Sequence, residues 1–413
     1  MLKYFDPQSD IDHGKDYGTP PVITVAAARG VDQQSREMVT VNIDGQEITV
    51  PAGTSILRAA ALADINIPKL CATDSVEPFG SCRVCLVEIE GRKGFPASCT
   101  TPVESGLVIR TQNEGIARLR KNVLELYISD HPLDCLTCPA NGDCELQDVA
   151  GEVGLREVRY GFEGSSHLSA VKDTSNPYFD FDPAKCIVCS RCVRACAEVQ
   201  GTFALTIDGR GFDSKVVAGQ AQDFMSSDCV SCGACVQACP TGALMPATVT
   251  EGAGVGDSKD FDSEVDSICP FCGVGCQVSL KVKDGKVKYV EGINGPANEG
   301  RLCVKGRFGF DYIHHDHRLT KPLIRRDDAP AKGLNVDPGN WQEFFREASW
   351  DEALDFAAKG LLDLKAEKGG ASVAGFGSAK CTNEEAYLFQ KMIRQGFGHN
   401  NVDHCTRLCH ASS

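Results

Sequence analysis

A chain of 413 residues is long enough for several domains that each bury a core. Its net charge of −14 at pH 7 argues against nucleic acid or an anionic membrane surface as a partner. The 22 cysteines stand largely in tight C-x2-C pairs, which favours metal centres in a reducing compartment over a secreted disulfide scaffold. Because the N-terminal stretch is polar and no apolar run approaches the roughly 18 residues of a membrane span, the sequence predicts a cytoplasmic protein without a membrane span.

The first predicted elements are an extension and a small domain. The extension, residues 1–36, contains a short apolar run at 22–28 that we interpret as an edge strand or a docking tail. Residues 37–112 are predicted to form a small α/β domain. Apolar residues alternate on both sides of Asp44-Gly45, which indicates a β-hairpin. Thr54 is predicted to cap the short helix that follows.

Four cysteines in this domain have the spacing C-x10-C-x2-C-x13-C: Cys71, Cys82, Cys85 and Cys99. Their first interval is longer than in plant-type ferredoxins. The pattern resembles the [2Fe-2S] domain of the large iron–sulfur subunit of respiratory complex I and of iron-only hydrogenases. The resemblance implies a β-grasp fold and a [2Fe-2S] cluster on these cysteines, with structural zinc as the alternative. Gly80 suits a loop whose backbone N–H groups turn toward the sulfurs.

Residues 113–165 begin with a helical pattern at 116–128, in which Leu119, Val123, Leu126 and Tyr127 share one side. Four potential ligands with the unusual spacing H-x3-C-x2-C-x5-C follow: His131, Cys135, Cys138 and Cys144. They resemble the His/Cys3 [4Fe-4S] site of the same subunits. A neutral imidazole in place of one thiolate makes such a cluster less negative, which should raise its potential. The alternative is a histidine that only packs nearby.

Residues 166–250 contain the pattern C-x2-C-x2-C-x3-C twice, as in bacterial-type ferredoxins with two [4Fe-4S] clusters. In that pattern the fourth cysteine of each run binds the other cluster. The first cluster is therefore predicted on Cys186, Cys189, Cys192 and Cys239. The second is predicted on Cys229, Cys232, Cys235 and Cys196. Structural zinc suits a single C-x2-C pair better than this doubled pattern.

Residues 251–266 are rich in glycine and acidic residues and are predicted to be a linker. In the next segment, 267–320, a hairpin is predicted to carry a fourth cysteine back to three others, with the spacing C-x2-C-x3-C-x26-C: Cys269, Cys272, Cys276 and Cys303. This resembles the N-terminal [4Fe-4S] domain of the molybdopterin oxidoreductases. The resemblance implies that Lys305 links the cluster to the pterin and assists catalysis, whereas the alternative is a solvated lysine.

Residues 321–413 are predicted to be a partial α/β molybdopterin-binding domain. Ser349 and Thr382 each open a capping box, and Leu388, Phe389, Met392 and Ile393 are predicted to be buried in the second helix. A strand at 373–376 ends at Gly377-Ser378, which are candidates for contact with a cofactor phosphate. Cys381 and Cys405 are predicted to be core thiols.

The segment from Asn400 to His410 resembles the active-site segment of formate dehydrogenases. The resemblance implies that Cys409 binds molybdenum or tungsten of a bis-molybdopterin guanine dinucleotide, with Asn401 among the cofactor contacts. His410 is then the catalytic residue that receives a proton or stabilises charge. The alternative for Cys409 is an ordinary buried thiol.

These patterns together predict an α+β multidomain chain with one [2Fe-2S] and four [4Fe-4S] clusters. Chain order suggests a linear route for electrons, from the pterin through the Cys303 cluster, the paired clusters and the His131 cluster to the [2Fe-2S] cluster. The combination resembles the α subunits of NAD-dependent formate dehydrogenases. That family implies a flavin subunit, with FMN, that reduces NAD+, and a small [2Fe-2S] γ subunit.

Two other functions are compatible with these patterns. The first is a non-catalytic electron-transfer subunit like that of complex I or a hydrogenase, and the second is another bis-pterin enzyme, such as a nitrate reductase. Catalytic subunits of the formate dehydrogenase family continue for several hundred residues beyond the metal-binding cysteine. We therefore expect the chain to be an N-terminal portion that does not hold the whole cofactor by itself.

Overall fold

The computed structural model describes residues 37–73, 75–157, 159–160, 169–251, 256–332 and 337–405. The extension 1–36, with its predicted apolar tail, lies outside the described residues. The chain divides into two compact units. We call them the cluster unit (Met1–Ser267 with Cys276–Phe308) and the terminal unit (Ile268–Gly275 with Gly309–Ser413).

The first domain of the cluster unit is built on a four-stranded sheet with the order β2-β1-β4-β3. Its strands are β1 (Met38–Ile43), β2 (Gln46–Pro51), β3 (Glu88–Ile89) and β4 (Val108–Arg110). Strand β1 pairs antiparallel with β2 and parallel with β4. Asp44 and Gly45 both have positive φ, as the tight turn of the predicted hairpin requires.

A short helix, α1 (Ile56–Leu62), covers this sheet and buries almost every side chain it carries. Its N-cap is Ser55, whose hydroxyl accepts from the Arg58 N–H at 3.1 Å. The predicted cap, Thr54, instead donates to the carbonyl of Pro51 at 2.7 Å. The cap therefore lies one residue later than predicted, because Thr54 closes the preceding turn.

The next helix, α2 (Glu114–Ser129), begins at the N-cap Asn113 and confirms the helical pattern. Its buried residues include Ile116, Arg120 and Leu124. The buried face therefore differs from the apolar side that the pattern shows, since Leu126 is 47% exposed. Arg120 takes part in this face because its guanidinium donates to the carbonyls of Val84 and Leu86.

The rest of the cluster unit consists of short elements around cysteine loops. The helices are α3 (Glu145–Glu152), α4 (Arg191–Arg194), α5 (Ala234–Ala238), α6 (Ala247–Thr250) and α7 (Val304–Phe308). The strands are β5 (Phe179–Phe181), β6 (Leu205–Asp208), β7 (Lys215–Ala218), β8 (Leu244–Pro246), β9 (Ser263–Ile268), β10 (Gln277–Lys283) and β11 (Lys286–Gly292). Strands β10 and β11 form the hairpin predicted at Asp284-Gly285. Strand β9 begins inside the predicted linker.

The terminal unit contains an antiparallel pair and a parallel pair of strands. The antiparallel pair is β12 (Leu323–Arg325) with β13 (Phe345–Glu347). The parallel pair is β14 (Gly375–Gly377) with β15 (Val402–His404), and α9 (Asn383–Lys391) lies between them in the chain. Parallel strands joined through a helix form the repeating unit of α/β domains.

Both predicted helix starts in the terminal unit are capped. Thr382 and Glu385 form the complete capping box of α9. Ser349 caps α8 (Trp350–Lys368), but the carboxylate of Glu352 pairs with Arg346 instead of completing the box. The predicted burial of α9 and of the turns that follow it is wrong for Leu388 and Met392, which are 59% and 46% exposed, whereas Phe389 is half-buried and Ile393 is buried. Among the described helices, none is long and apolar enough to cross a membrane.

Candidate metal-cluster sites

The first cysteine site lies beside the four-stranded sheet. Its members are all buried within the domain core: Cys71, Cys82, Cys85 and Cys99. The Cys82 N–H donates to the Cys71 sulfur at 3.4 Å. Hydrogen bonds from Cys82 and Cys99 hold the pKa of the Cys71 thiol far below its usual value, and a bond with Cys99 lowers that of Cys85 to about 7. Four thiols in mutual contact, two of them prone to ionise, fit a [2Fe-2S] cluster.

Two loop features shape this site. Gly80 has a φ of +71°, and a Cβ there would lie 3.2 Å from the Thr100 side chain. The buried Ser98 hydroxyl donates to the Cys85 carbonyl at 2.8 Å. A residue without a side chain therefore lets the loop before Cys82 come close to the turn that contains Cys99 and Thr100.

The second site contains His131, whose ring nitrogen Nε2 is buried and has no hydrogen-bond partner in the described residues. His131 is 8% exposed, and burial lowers its pKa. Its Nδ1 lies 2.9 Å from the Pro132 carbonyl, which can only accept, so Nδ1 carries the proton. Nε2 is left buried with its lone pair and without a hydrogen bond. A neutral imidazole oriented through its other nitrogen is the form in which histidine binds metals.

The cysteines of the second site lie in the loop that leads into α3. Cys138 and Cys144 are buried, and Cys135 is half-buried. The backbone N–H groups of Leu146 and Gln147 donate to the Cys144 sulfur. A Cβ on Gly242 would lie 3.3 Å from the Cys138 sulfur, so the chain approaches this thiol too closely for a side chain. The donor set and the close backbone fit a His/Cys3 cluster.

The two ferredoxin-type runs place their cysteines in two crossed groups. Burial raises the pKa of the Cys192 thiol, and the thiolates that add to this effect are led by Cys186, Cys189 and Cys239. Burial also raises the pKa of Cys235, with contributions from Cys232, Cys229 and Cys196. The fourth cysteine of each run thus neighbours the first three of the other run. This grouping is the one that two [4Fe-4S] clusters require.

The two loops repeat one backbone conformation that the sequence pattern does not reveal. Val188 and Ser231 occupy equivalent positions, and both have positive φ (50° and 54°). Their N–H groups donate to the sulfurs of Cys186 and Cys229, each at 3.4 Å. A left-handed conformation is unfavourable for valine. The fold therefore maintains strain in the loop in order to direct N–H groups at sulfur.

One arginine connects three of these sites. The guanidinium of Arg191, which lies between Cys189 and Cys192, forms two hydrogen bonds of 2.7 Å with the Glu145 carboxylate. It also donates to the Ala72 carbonyl at 2.8 Å. Glu145 follows Cys144 and Ala72 follows Cys71, so the loops of the three sites meet at this side chain. Sequence reasoning missed both residues, because nothing in the local spacing indicates a partner 46 or 119 positions away.

The thiols of these sites are also close enough to interact electrostatically. The charge of Cys71 contributes to the raised pKa of Cys189, after burial and other neighbours. The charge of Cys239 likewise contributes to the raised pKa of Cys144. The Cys189 site therefore neighbours both the Cys71 site and the Cys144 site. Cys71, Cys144 and Cys189 also share one cluster of buried side chains, and the linear electron route suggested by the sequence stays a prediction.

The cysteines of the fifth predicted site belong to different units and are described separately. In the cluster unit, Cys276 is followed directly by Gln277, whose carbonyl accepts a hydrogen bond of 3.1 Å from the side-chain amide of the buried Asn298. The same amide donates to the carbonyls of Ile293 and Arg301, each at 3.1 Å. Cys303 is exposed and precedes α7, on which Lys305 is also exposed. In the terminal unit, Cys269 is buried and Cys272 is half-buried.

The terminal unit presents the strand–turn–helix arrangement predicted for a phosphate contact. Strand β14 ends at Gly377, and Ser378 begins the turn that leads to α9. The carbonyl of Asn401 accepts from the Gly375 N–H at 2.8 Å, so it lies at the start of the same parallel pair. Cys409 and His410 lie outside the described residues.

The other two cysteines of this unit are not the core thiols that were predicted. Cys405 is exposed and Cys381 is half-buried. The Cys405 sulfur accepts from the Ala379 N–H at 3.3 Å, and the Cys381 thiol donates to the Ser378 carbonyl at 2.8 Å. Both thiols therefore lie along the turn between β14 and α9, where polar backbone groups surround them.

In the described part of the chain, no three His, Cys, Asp or Glu residues are grouped so as to hold a single metal ion.

Five family models match consecutive parts of the chain. Residues 36–114 match the 2Fe-2S iron–sulfur cluster binding domain, and 120–159 match the iron–sulfur binding region of NADH-ubiquinone oxidoreductase-G. Residues 185–243 match the 4Fe-4S dicluster domain. Residues 262–315 match the molybdopterin oxidoreductase Fe4S4 domain, and 318–413 match molybdopterin oxidoreductase itself. These parts of the chain are thus similar, in the predicted order, to iron–sulfur domains and to molybdopterin oxidoreductases.

Several curated proteins are similar to most of this chain. The chain is 37% identical to the alpha subunit of the NADPH-Fe(3+) oxidoreductase of Geobacter sulfurreducens, over 91% of this chain and 41% of the relative. It is 33% identical to proteins provisionally named formate dehydrogenases from Staphylococcus haemolyticus and Bacillus subtilis, over 91% and 90% of this chain and 40% of each relative. The chain spans about two fifths of the length of these curated relatives. An NAD+-reducing [NiFe]-hydrogenase structure is similar at 32% identity and a TM-score of 0.46, over 51% of this chain and 87% of that chain.

Proposed function

We propose that the chain belongs to the α subunit of a cytoplasmic, NAD-dependent formate dehydrogenase. This subunit oxidises formate to CO2 and passes two electrons through one [2Fe-2S] and four [4Fe-4S] clusters to a flavin subunit, where FMN accepts them and NAD+ is reduced. A small [2Fe-2S] γ subunit completes the assembly. The observation that carries the proposal is the succession of cysteine sites in front of a molybdopterin oxidoreductase segment that contains Cys409 and His410. The provisional names of two relatives support formate as the substrate.

The grouping of the side chains supports a proposal for the ligands of most clusters. We assign the [2Fe-2S] cluster to the buried set of Cys71 and the His/Cys3 cubane to the set of His131. The two crossed groups hold one cubane each. The fourth cubane takes the cysteines that the Fe4S4 family match covers: Cys269, Cys272, Cys276 and Cys303. In this assignment every cluster has four protein ligands.

The residues of the pterin site have distinct tasks. When bound, the pterin-held molybdenum or tungsten supplies an acceptor for the two electrons that leave formate. Cys409 would hold the metal as a thiolate, a soft and strongly donating ligand. His410 would take up the proton released with CO2, because imidazole titrates near neutral pH. Lys305 would link the pterin to the cluster of Cys303, while Gly377, Ser378 and Asn401 would contact the cofactor.

Two measurements on the intact complex test this function together. We expect molybdenum or tungsten with pterin in the purified protein, and formate-dependent reduction of NAD+. A complex that contains neither metal would favour the electron-transfer alternative. Reduction of nitrate with a viologen donor, in the absence of formate turnover, would favour another bis-pterin enzyme. Direction of turnover in the cell and the choice between the two metals are separate questions for the same preparation.

A second candidate function has an observation in its favour. The 37% identical relative is named for NADPH and Fe(3+), and residues 120–159 match a complex I region. A chain that only conducts electrons from a reduced nicotinamide to an external acceptor would share all cluster sites of the cluster unit. NADPH-dependent Fe(3+) reduction by a complex that lacks molybdenum and tungsten would identify this function.

The role of His131 yields a further prediction. We expect His131→Ala to alter the electron paramagnetic resonance signal of one cubane and to leave the other four cluster signals unchanged, since Nε2 faces no other partner in the described residues. His131→Cys is the matched variant, because it restores a fourth ligand. A thiolate adds negative charge, so the cubane of His131→Cys should have a lower midpoint potential than the wild-type cubane. An unchanged spectrum in His131→Ala would remove this histidine from the ligands.

A further inference from the structure

A buried arginine joins the second ferredoxin-type site to the loop that carries Cys303. Arg307 is 5% exposed and lies in α7, where its backbone N–H donates to the Cys303 carbonyl at 3.1 Å. Its Nη2 donates to Oε1 of Gln237, and Nε2 of Gln237 donates to the Gly300 carbonyl at 2.6 Å. Gln237 belongs to α5, the helix that contains Cys235. One guanidinium and one amide therefore tie two cysteine segments of the cluster unit together.

The stem of this arginine lies directly on the loop between Cys232 and Cys235. A Cβ at Gly233 would lie only 2.4 Å from Cδ of Arg307 and 2.7 Å from the Phe308 ring. Gly233 also has a φ of +74°, so the position favours glycine for two independent reasons. The cluster loop is thus fitted around the arginine stem.

The Arg307 guanidinium is only partly satisfied by hydrogen bonds, since its Nε is buried without a hydrogen-bond partner in the described residues. Burial lowers its pKa to about 10, while the thiolates of Cys232, Cys235 and Cys303 and the carboxylate of Glu291 act in the opposite direction. The side chain therefore remains a cation at neutral pH. Its nearest negative groups include sulfurs of two different cluster sites.

We propose that Arg307 is a positioning residue for electron transfer between the cubane of Cys232 and the cubane of Cys303. The inference rests on the cluster ligands of the proposed function. Each cubane gains one negative charge when it is reduced, and a fixed cation in a region of low dielectric stabilises that charge. Arg307 therefore raises the midpoint potential of the cubanes on both sides and holds their loops in register. Sequence reasoning singled out Lys305 on the same helix and overlooked this residue.

The test is a redox titration of the complete complex, followed by electron paramagnetic resonance, for wild type and Arg307→Gln. Glutamine keeps a hydrogen-bond donor for Gln237 and removes the charge. For the Cys232 cubane we expect the ratio of reduced to oxidised cluster at a fixed ambient potential to fall about tenfold, which corresponds to about 59 mV for one electron. Arg307→Lys should retain most of the wild-type ratio. The exposed Arg301 is the control, and Arg301→Gln should leave the ratio unchanged.

A second variant keeps the test decisive if Arg307→Gln loses iron. Gln237→Glu leaves the arginine in place and sets a carboxylate against it, so the cation is neutralised inside an ion pair. The reduced fraction of the same cubane should fall in the same direction. Unchanged ratios for both cubanes in an iron-replete Gln237→Glu protein would overturn the proposal. Since dithionite sets the potentials, the result does not depend on formate activity, and a failed formate assay cannot be mistaken for a failure here.

Discussion

Formate-dependent electron transfer is expected to fall to background when Cys409 is replaced with alanine in the complete subunit. The proposed function gives this sulfur the task of holding the pterin-bound metal, and a methyl group cannot donate to a metal. Iron content should not change, because Cys409 is not among the proposed cluster ligands. The measurement is formate-dependent NAD+ reduction alongside iron and molybdenum or tungsten analysis of the same preparation.

Cys405 offers a matched control for this variant. It lies four positions before Cys409, is exposed, and accepts only a backbone hydrogen bond that the structure shows from Ala379. Cys405→Ala should therefore lower formate turnover far less than Cys409→Ala, because it removes one backbone contact beside the turn after β14 and no proposed metal ligand. Retention of full turnover by Cys409→Ala would show that the metal has another ligand. That outcome would remove Cys409 from the site and leave the cluster assignments intact.

The cluster sites were largely predictable from the sequence because their information is local. Three sulfurs that bind one cubane must come from one tight loop, so spacing alone identifies Cys186, Cys189 and Cys192 as a set. The crossed fourth ligand is also encoded, since the same pattern occurs twice. The hairpin at Asp44-Gly45 was predictable for a similar reason, because a two-residue turn requires residues that tolerate positive φ.

Features that depend on distant parts of the chain were not predictable in this way. Spacing placed Leu126 on the apolar side of α2, yet the buried face includes Arg120, whose guanidinium donates to carbonyls about 35 positions earlier in the chain. The cap at Ser55 was missed because Thr54 has a competing acceptor in the preceding turn. The meeting of the cysteine loops at Arg191 depends on contacts across more than a hundred residues, which no periodicity records.

The junction of Arg191 and Glu145 gives the largest expected change in stability. The Arg191 side chain is 1% exposed and that of Glu145 is 18% exposed, at 2.7 Å. Removal of one member of a buried ion pair takes away the counter-charge of the other member, which typically costs about 3–5 kcal/mol. We therefore expect Glu145→Ala to lower the free energy of unfolding of the cluster unit by about this amount. Loss of visible cluster absorption during anaerobic denaturation with urea provides the measurement.

An exposed pair in the same unit separates this effect from the removal of any ion pair. Arg92 and Glu104 form an ion pair of similar length, 2.8 Å, but their side chains are 43% and 59% exposed. Glu104→Ala should therefore cost no more than about 1 kcal/mol. If Glu145→Ala costs equally little, water reaches Arg191, and the junction is not the buried contact that the structure shows.

The double variant Arg191→Met with Glu145→Met tests why the pair is present. Replacement of both charges with apolar side chains of similar size is often neutral for stability, because neither charge is then buried alone. We expect the double variant to recover most of the loss seen in Glu145→Ala, apart from about 1 kcal/mol for the hydrogen bond that the Ala72 carbonyl loses. Electron transfer between the [2Fe-2S] cluster and the Cys189 cubane should nevertheless slow down, because Arg191, together with Arg194, holds the Ala72 loop beside that cubane. Rapid-freeze reduction of the two clusters measures this rate. Recovered stability with an unchanged rate would reduce the role of the pair to packing alone.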